Sequence, residues 1–123
     1  MPRCRLFSHF ISATKNRRPW IIPGLEPVLD NAIRSKAIGL GARLYVLNVC
    51  RDHIQTVVSI PPALSIFGFI GQVKGVSSLR IRESRLLPEH FRWQEEYGVF
   101  SLGESQSAKC ISYVEGRKEH HAR

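Results

Sequence analysis

A tyrosine near the end of the chain has surroundings that suit covalent chemistry. A helix is predicted from Ser105, a natural N-cap, towards His120. At 100° per residue its buried stripe consists of Ala108, Ile111 and Val114. The opposite side carries the polar residues Gln106, Lys109, Tyr113, Arg117 and His120. Because Lys109 and Arg117 flank Tyr113 at one-turn spacing, they favour its phenolate, which could attack a phosphodiester. A surface tyrosine among solvated charges has the same pattern, so position alone leaves both interpretations open.

A histidine and a glutamine form a second candidate pair. His53 and Gln55 lie in a segment rich in isoleucine and valine, which predicts a β-strand. Side chains alternate between the faces of a strand, so His53, Gln55 and Val57 project together. A strand-end histidine that faces solvent, or that packs under a helix, has the same spacing. These two residues alone therefore do not decide between a functional and a structural role.

The elements that must position these side chains follow the order β-α-β-β-α-β-α. The predicted strands are residues 6–14, 42–50, 53–60 and 93–102, and the predicted helices are residues 25–37, 65–76 and 105–120. Residues 77–91 are basic and irregular and are predicted to be mobile. This order favours an α+β, ferredoxin-like fold in which helices pack on one face of an antiparallel sheet. With 123 residues, we expect one domain spanning residues 1–123.

The charge balance indicates a polyanionic partner. The chain has 18 Lys and Arg against 10 Asp and Glu, a formal net charge of +8. Nucleic acid is favoured over an anionic membrane because the basic residues do not form one amphipathic helix. A small basic protein that is merely well solvated is the remaining alternative.

Cysteine usage and hydropathy predict a compartment. The 3 cysteines, Cys4, Cys50 and Cys110, are widely spaced and form neither a zinc motif nor a disulfide framework, which fits a reducing cytoplasm. The longest apolar run, residues 57–71, is interrupted by Pro61 and Pro62, so no membrane span is expected. Polar residues break the apolar stretch near the N-terminus, so a secretion leader is not expected either.

Several ordered blocks of the chain together resemble one family. They are ATKNRRP from Ala13, DHIQ from Asp52, VVSIPP from Val57, KGVSS from Lys74, WQEEYGVFS from Trp93 and YVEGRKEHH from Tyr113. These blocks, at this spacing and over nearly the whole chain, resemble the HUH-type single-tyrosine transposases of small bacterial insertion sequences, which include REP-associated enzymes.

The resemblance implies a ferredoxin-like fold, usually dimeric, that recognises a hairpin at a transposon end and cuts single-stranded DNA. It implies that Tyr113 attacks the scissile phosphate, forming a 5′-phosphotyrosine link and leaving a free 3′-hydroxyl. It also implies a divalent metal, Mg²⁺ or Mn²⁺, with His53 as one of its ligands.

Two positions depart from the family pattern. Gln55 stands where a second histidine belongs, and its carbonyl oxygen can ligate a hard cation. Replication initiators with a related histidine, hydrophobic, glutamine arrangement suggest that this change is tolerated. Arg117 stands where the family usually has a glutamine, and it could bind the scissile phosphate bidentately instead. His120, on the same helical side, makes a shifted metal set of His53, Gln55 and His120 conceivable.

Basic residues supply the predicted DNA contacts. They are Arg17, Arg18, Lys74, Arg80, Arg82, Arg85, Lys109 and Arg117. Trp93 or Tyr97 could stack a base, although aromatic residues at strand spacing are more often part of the core.

Three functions remain open at this point. The first is a metal-assisted tyrosine transposase, and the second is a degraded relative that binds hairpin DNA without cutting it. The third is a basic RNA-binding α+β module.

Overall fold

The computed structural model describes residues 7–87 and 90–121, with side chains described except at positions 104–105 and 117–121. Four strands are present in this part of the chain: β1 (Phe7–Ala13), β2 (Arg43–Val49), β3 (His53–Ser59) and β4 (Gly98–Leu102). The helices are α1 (Glu26–Gly39), α2 (Ile66–Ser84) and α3 (Glu104–His121), and a short 3-10 helix spans Lys15–Arg17. The predicted order of elements is therefore confirmed.

The strands form one antiparallel sheet in the order β2-β3-β1-β4. In the register of β1 with β3, Phe7 pairs with Ser59 and Ala13 with His53. One face of the sheet therefore presents the odd-numbered residues of both strands, and the other face presents the even-numbered ones. The helices pack against these two faces.

Helices α1 and α2 cover the even-numbered face. Phe10, Ile54 and Val58 of the sheet are fully buried in one core with residues of both helices. Ser65 caps α2 by accepting a hydrogen bond from the backbone N–H of Gly68 at 2.9 Å. The predicted ferredoxin-like α+β class is confirmed, with two helices on one face of the sheet.

Helix α3 lies on the opposite face, an addition to the predicted arrangement of helices on one face. Its Val114 is buried in a second cluster with Phe7, Val46 and Val57. The buried side of α3 contains Ser107 and Val114, whereas Ala108, predicted to belong to the buried stripe, is exposed. The helix is thus rotated from the predicted orientation, with Ser107 rather than Ala108 on its buried side.

Two predicted boundaries were wrong. Residues 77–84, predicted to be irregular, continue α2, because Ser77 and Ile81 extend its buried stripe at four-residue spacing. The Ser77 hydroxyl donates to the Val73 carbonyl at 2.6 Å, so this polar residue is satisfied inside the helix layer. Strand β4 begins only at Gly98, and Trp93 makes an isolated bridge with Thr14.

None of the helices in the described part of the chain has the length and apolar character that a bilayer crossing would need.

Candidate active site and nucleic-acid interface

A tight turn between β2 and β3 presents His53 at the first position of its strand. The backbone N–H of Cys50 donates to the His53 carbonyl at 2.8 Å and closes the turn. The N–H of Thr14 donates to the Asp52 carbonyl at 2.9 Å, which ties the turn to the end of β1. His53 and Gln55 are both buried and, as predicted, lie on the same face as Val57.

Asp52 fixes the orientation of the His53 ring. His53 Nδ1 lies 2.7 Å from Asp52 Oδ1, and an ionised carboxylate can only accept, so Nδ1 is the donor. The other ring nitrogen, Nε2, is then the one available to a ligand. Burial raises the pKa of Asp52, but the hydrogen bond and charge of His53, with the charge of Arg17, outweigh burial and lower that pKa below 3.8.

A histidine from the neighbouring strand contacts Gln55. His9 Nε2 lies 3.2 Å from Gln55 Oε1, and both side chains are buried. The amide oxygen is an acceptor, so His9 donates through Nε2. His9 was not among the predicted site residues, because only the register of β1 with β3 shows that positions 9 and 55 share a face. The sequence did contain one signal for His9: alternation within β1 places it on the face opposite to that of Phe10.

Tyr113 lies on α3, the helix that packs on the same sheet face as His53 and Gln55. The Asn48 side chain donates from Nδ2 to the Val114 carbonyl at 3.1 Å, inside the protein. Asn48 is the partner of Gln55 in the pairing of β2 with β3. Its side chain therefore links the sheet beside Gln55 to the backbone next to Tyr113. Tyr113 is 55% exposed, which confirms that it is not a core tyrosine.

The donors on this face fit a divalent cation in chemical type. A histidine oriented by a carboxylate through Nδ1 is the usual arrangement of a metal-binding imidazole, and an amide oxygen is an additional hard donor. Among the described residues, no three His, Cys, Asp or Glu side chains are close enough together to hold a metal. The side chains of Arg117 and His120 lie outside the described residues.

Arg17 and Arg18 lie beside the His53 turn. Arg17 Nη1 is 3.7 Å from Asp52 Oδ2. Asn16 and Arg17 both have left-handed backbone, with φ of 56° and 54°, a conformation that asparagine tolerates well and that is uncommon for arginine. The Arg18 guanidinium lies over the Trp20 ring at 5.6 Å. The segment therefore places positive charge at one end of the candidate site.

The other predicted DNA contacts have different surroundings. Lys74 Nζ donates to the backbone carbonyls of Gln94 at 2.8 Å and Glu95 at 3.3 Å, and it lies 5.2 Å from the Tyr97 ring centroid. Burial lowers the pKa of Lys74, against the opposing charge of Glu95. Three exposed arginines at the end of α2 lie in the helix layer behind the sheet: Arg80, Arg82 and Arg85. Lys109 is exposed on α3.

The aromatic residues divide between core and surface. Trp93 is buried in the core, edge-on to Phe91 at 5.0 Å, whereas Tyr97 is half-buried. Phe100 was not predicted as a site residue, yet it is 56% exposed and its ring centroid lies 5.9 Å from that of His9. Phe100 is exposed because β4 is an edge strand of the sheet. It was not predicted because the residue pattern of one strand does not reveal the order of the strands.

Comparison with known proteins decides the family. The family model described as "Transposase IS200 like" matches residues 3–117. The chain belongs to the IS200-like transposase family. It is 27% identical over 117 residues to the transposase for insertion sequence element IS200 of Salmonella typhimurium, covering 90% of this chain and 76% of that protein. It is 22% identical over 117 residues to the ISDra2 transposase TnpA of Deinococcus radiodurans, covering 90% and 83% respectively.

Two solved structures of transposases have the same fold as this chain. A crystal structure from Deinococcus radiodurans R1, described as that of a candidate transposase, superposes with a TM-score of 0.75 at 25% identity, covering 94% of this chain and 92% of that one. A REP-associated tyrosine transposase bound to a REP hairpin also gives a TM-score of 0.75, at 13% identity, covering 98% of this chain and 73% of that one. The second likeness is one of fold.

Proposed function

We propose that this transposase binds a hairpin end of an insertion sequence and cleaves and rejoins single-stranded DNA through a 5′-phosphotyrosine intermediate. The observation that carries the proposal is the common sheet face of His53, Gln55 and the helix that bears Tyr113. Family membership and the hairpin bound by the REP-associated relative support the same substrate class.

The chemical step uses Tyr113 as the nucleophile. Its phenolic oxygen attacks the scissile phosphorus, the bond from phosphorus to the 3′-oxygen breaks, and the 5′-phosphate stays on the tyrosine. The phenol loses its proton, and the departing 3′-oxygen gains one as it becomes the free hydroxyl. Rejoining is the reverse step, in which a 3′-hydroxyl attacks the phosphotyrosine. The exposure of Tyr113 allows a strand to reach it from solvent.

His53 and Gln55 would hold Mg²⁺ or Mn²⁺, with His120 as a further candidate ligand. A cation bound there would polarise a phosphate oxygen and offset the negative charge that develops on the phosphoryl group. Asp52 keeps the Nε2 side of the His53 ring available, and His9 fixes the amide of Gln55. Arg117 would supply a phosphate contact where the family pattern has a glutamine.

Positive charge from Arg17, Arg18 and Lys109 would track the DNA backbone near this face, with Arg80, Arg82 and Arg85 as further contacts. The protein is expected to act as a homodimer in the cytoplasm. Light scattering on the purified chain tests the first of these expectations, and fractionation of the host cell tests the second.

Covalent capture tests the proposal. The protein is incubated with labelled single strands that carry the hairpin ends flanking its own coding region, with Mg²⁺ or Mn²⁺, and resolved on a denaturing gel. We expect a protein–DNA adduct that Tyr113→Phe abolishes. Tyr45→Phe is the matched control because Tyr45, on β2, is also accessible in part and lies outside the candidate site, and it should leave the adduct intact. An adduct that survives Tyr113→Phe would refute the assignment.

A binding protein that does not cut is the second candidate, motivated by Gln55 and Arg117. It predicts hairpin binding without an adduct, and cleavage recovered by Gln55→His combined with Arg117→Gln. Binding without recovery in that double variant would contradict loss of ligands as the cause.

A further inference from the structure

A groove of about 590 Å³ lies between the end of β1, with the turn that follows it, and the edge strand β4. Its lining includes Ile11 and Ala13 of β1, which pair across the sheet with Gln55 and His53 respectively. Arg17, which contacts Asp52, lines one end. The groove is therefore continuous with the face on which the scissile phosphate would lie.

Gly98 leaves this groove open. It pairs with Ile11 in β4 and is itself part of the lining. A Cβ built at Gly98 would meet only the Phe100 ring, at an ordinary 3.8 Å, so the backbone tolerates a side chain there. Helix α3 packs over the other end of this face, around Phe7 and Val57. The His53 end consequently keeps a recess beside the sheet.

Aromatic rings form part of the groove wall. Phe100 is largely exposed although it is a phenylalanine, and its ring centroid lies 5.9 Å from that of His9, with the two rings inclined by 33°. Tyr97 also lines the groove, and the Lys74 ammonium lies over its ring. A flat ligand could pack against Phe100 with little change in the protein, because the ring is already supported by His9.

A polar group is available in the same groove. The backbone N–H of Asn16 donates to Gln94 Oε1 at 3.2 Å, which orients the amide of Gln94. That contact uses the amide oxygen and leaves the amide nitrogen as a hydrogen-bond donor. Lys74 holds the same segment through the carbonyls of Gln94 and Glu95. Lys74 is therefore a positioning residue for this wall of the groove.

We infer that the groove binds one unpaired nucleobase of the DNA strand, stacked on Phe100. The inference rests on the proposed function, since it places the base next to the phosphate that Tyr113 attacks. A nucleobase combines a flat apolar face with acceptors on its edge, which match an exposed ring and an amide donor. The backbone phosphate attached to such a base could lie near Arg17, whose positive charge it would pair with.

The test separates base contacts from phosphate contacts. Dissociation constants are measured for oligothymidine and for an abasic strand of equal length. The dissociation constant of the abasic strand divided by that of oligothymidine reports how much the bases contribute to binding. Because the stacking surface is lost, Phe100→Ala should reduce this ratio about tenfold, which corresponds to about 1.4 kcal/mol. Phe100→Tyr should preserve it, and Gly98→Val, which fills the groove, should reduce it.

Phe67→Ala is the matched control, because Phe67 is 73% exposed on α2, away from this face. It should leave the ratio unchanged. The inference is overturned if Phe100→Ala and Gly98→Val behave like Phe67→Ala, or if Phe100→Ala changes only the oligomeric mass, which would make the groove a contact between copies. Failure of the transposase proposal would appear separately, as a missing Tyr113 adduct with the base ratio intact.

Discussion

At the level of single residues, His53 and Gln55 are each oriented by one neighbouring side chain. The imidazole is held by the carboxylate before it, and the amide is held by a histidine from another strand. Both contacts are buried or partly buried, so they persist against competition from water better than exposed contacts would. The proposed metal site thus depends on two pairs of residues, Asp52 with His53 and His9 with Gln55.

Asp52→Asn should weaken metal binding at His53. The neutral amide oxygen can still accept from Nδ1 but stabilises that donor less than a carboxylate does, and changes of this kind typically lower metal affinity or activity about 10- to 100-fold. Mn²⁺ titration followed by electron paramagnetic resonance measures the affinity. Asp30→Asn, which removes an exposed carboxylate paired with Arg34, is the control and should have no effect. An unchanged Mn²⁺ affinity in Asp52→Asn would contradict the orienting role.

The same carboxyl predicts a pH dependence of stability. Because folding lowers the pKa of Asp52 below 3.8, its contribution is fully present above that value and is lost as the pH falls through the lower, folded-state pKa. The difference in unfolding free energy between wild type and Asp52→Asn should therefore shrink below pH 3.8. Urea unfolding at neutral and acidic pH measures it, and a difference that grows on acidification would contradict the sign.

The residues of the site were only partly predictable. The shared face of His53 and Gln55 follows from strand alternation, which is local. The contact of His9 with Gln55 requires the pairing of β1 with β3, and residues 9 and 55 are brought together only by that pairing. The roles of Asp52 and Asn48 in the site likewise depend on side-chain contacts that no periodicity encodes.

At the level of the elements, α3 is the helix that carries Tyr113, the proposed nucleophile, over the sheet. Its packing core is small, with Val114 against Phe7, Val46 and Val57, and the Asn48 hydrogen bond supplements that core. The order of strands and helices was predictable because hydrophobic periodicity is strong in β1, β3 and α1. The length of α2 was not, because buried Ser77 interrupts the apolar pattern.

Asn48→Leu should loosen α3 selectively. Loss of one buried hydrogen bond costs about 0.5–1.5 kcal/mol, and the missing link lies next to Tyr113. We expect faster amide hydrogen exchange in α3 and a lower rate of adduct formation, with hairpin affinity nearly unchanged. Ser77→Ala removes a buried hydrogen bond on the other side of the sheet and is the control. Equal effects of both variants on adduct formation would contradict the role of Asn48.

At the scale of the whole molecule, the net charge of +8 governs encounter with DNA. The charge is divided between the candidate site face and the helix layer behind it. Lys74, although basic, has two of its three N–H donors engaged by backbone carbonyls, which leaves one for a phosphate. Composition predicts the polyanionic partner, and only the fold shows which cations are available to it.

Salt dependence of binding should separate these two kinds of cation. Arg17→Ala should reduce the slope of log affinity against log salt concentration by about one unit, since it removes a phosphate contact. Lys74→Met should leave the slope nearly unchanged, while lowering the base preference described above. Fluorescence anisotropy of hairpin DNA over a salt series measures both. A larger slope change in Lys74→Met than in Arg17→Ala would show that the cations are wrongly assigned.

Mass spectrometry of the covalent complex after protease digestion identifies the residue that carries the DNA. We expect a nucleotide linked through its 5′-phosphate to the peptide that contains Tyr113, with a free 3′-hydroxyl on the released strand. A nucleotide on another residue, or cleaved DNA with 5′-phosphate ends and no protein attached, would contradict it.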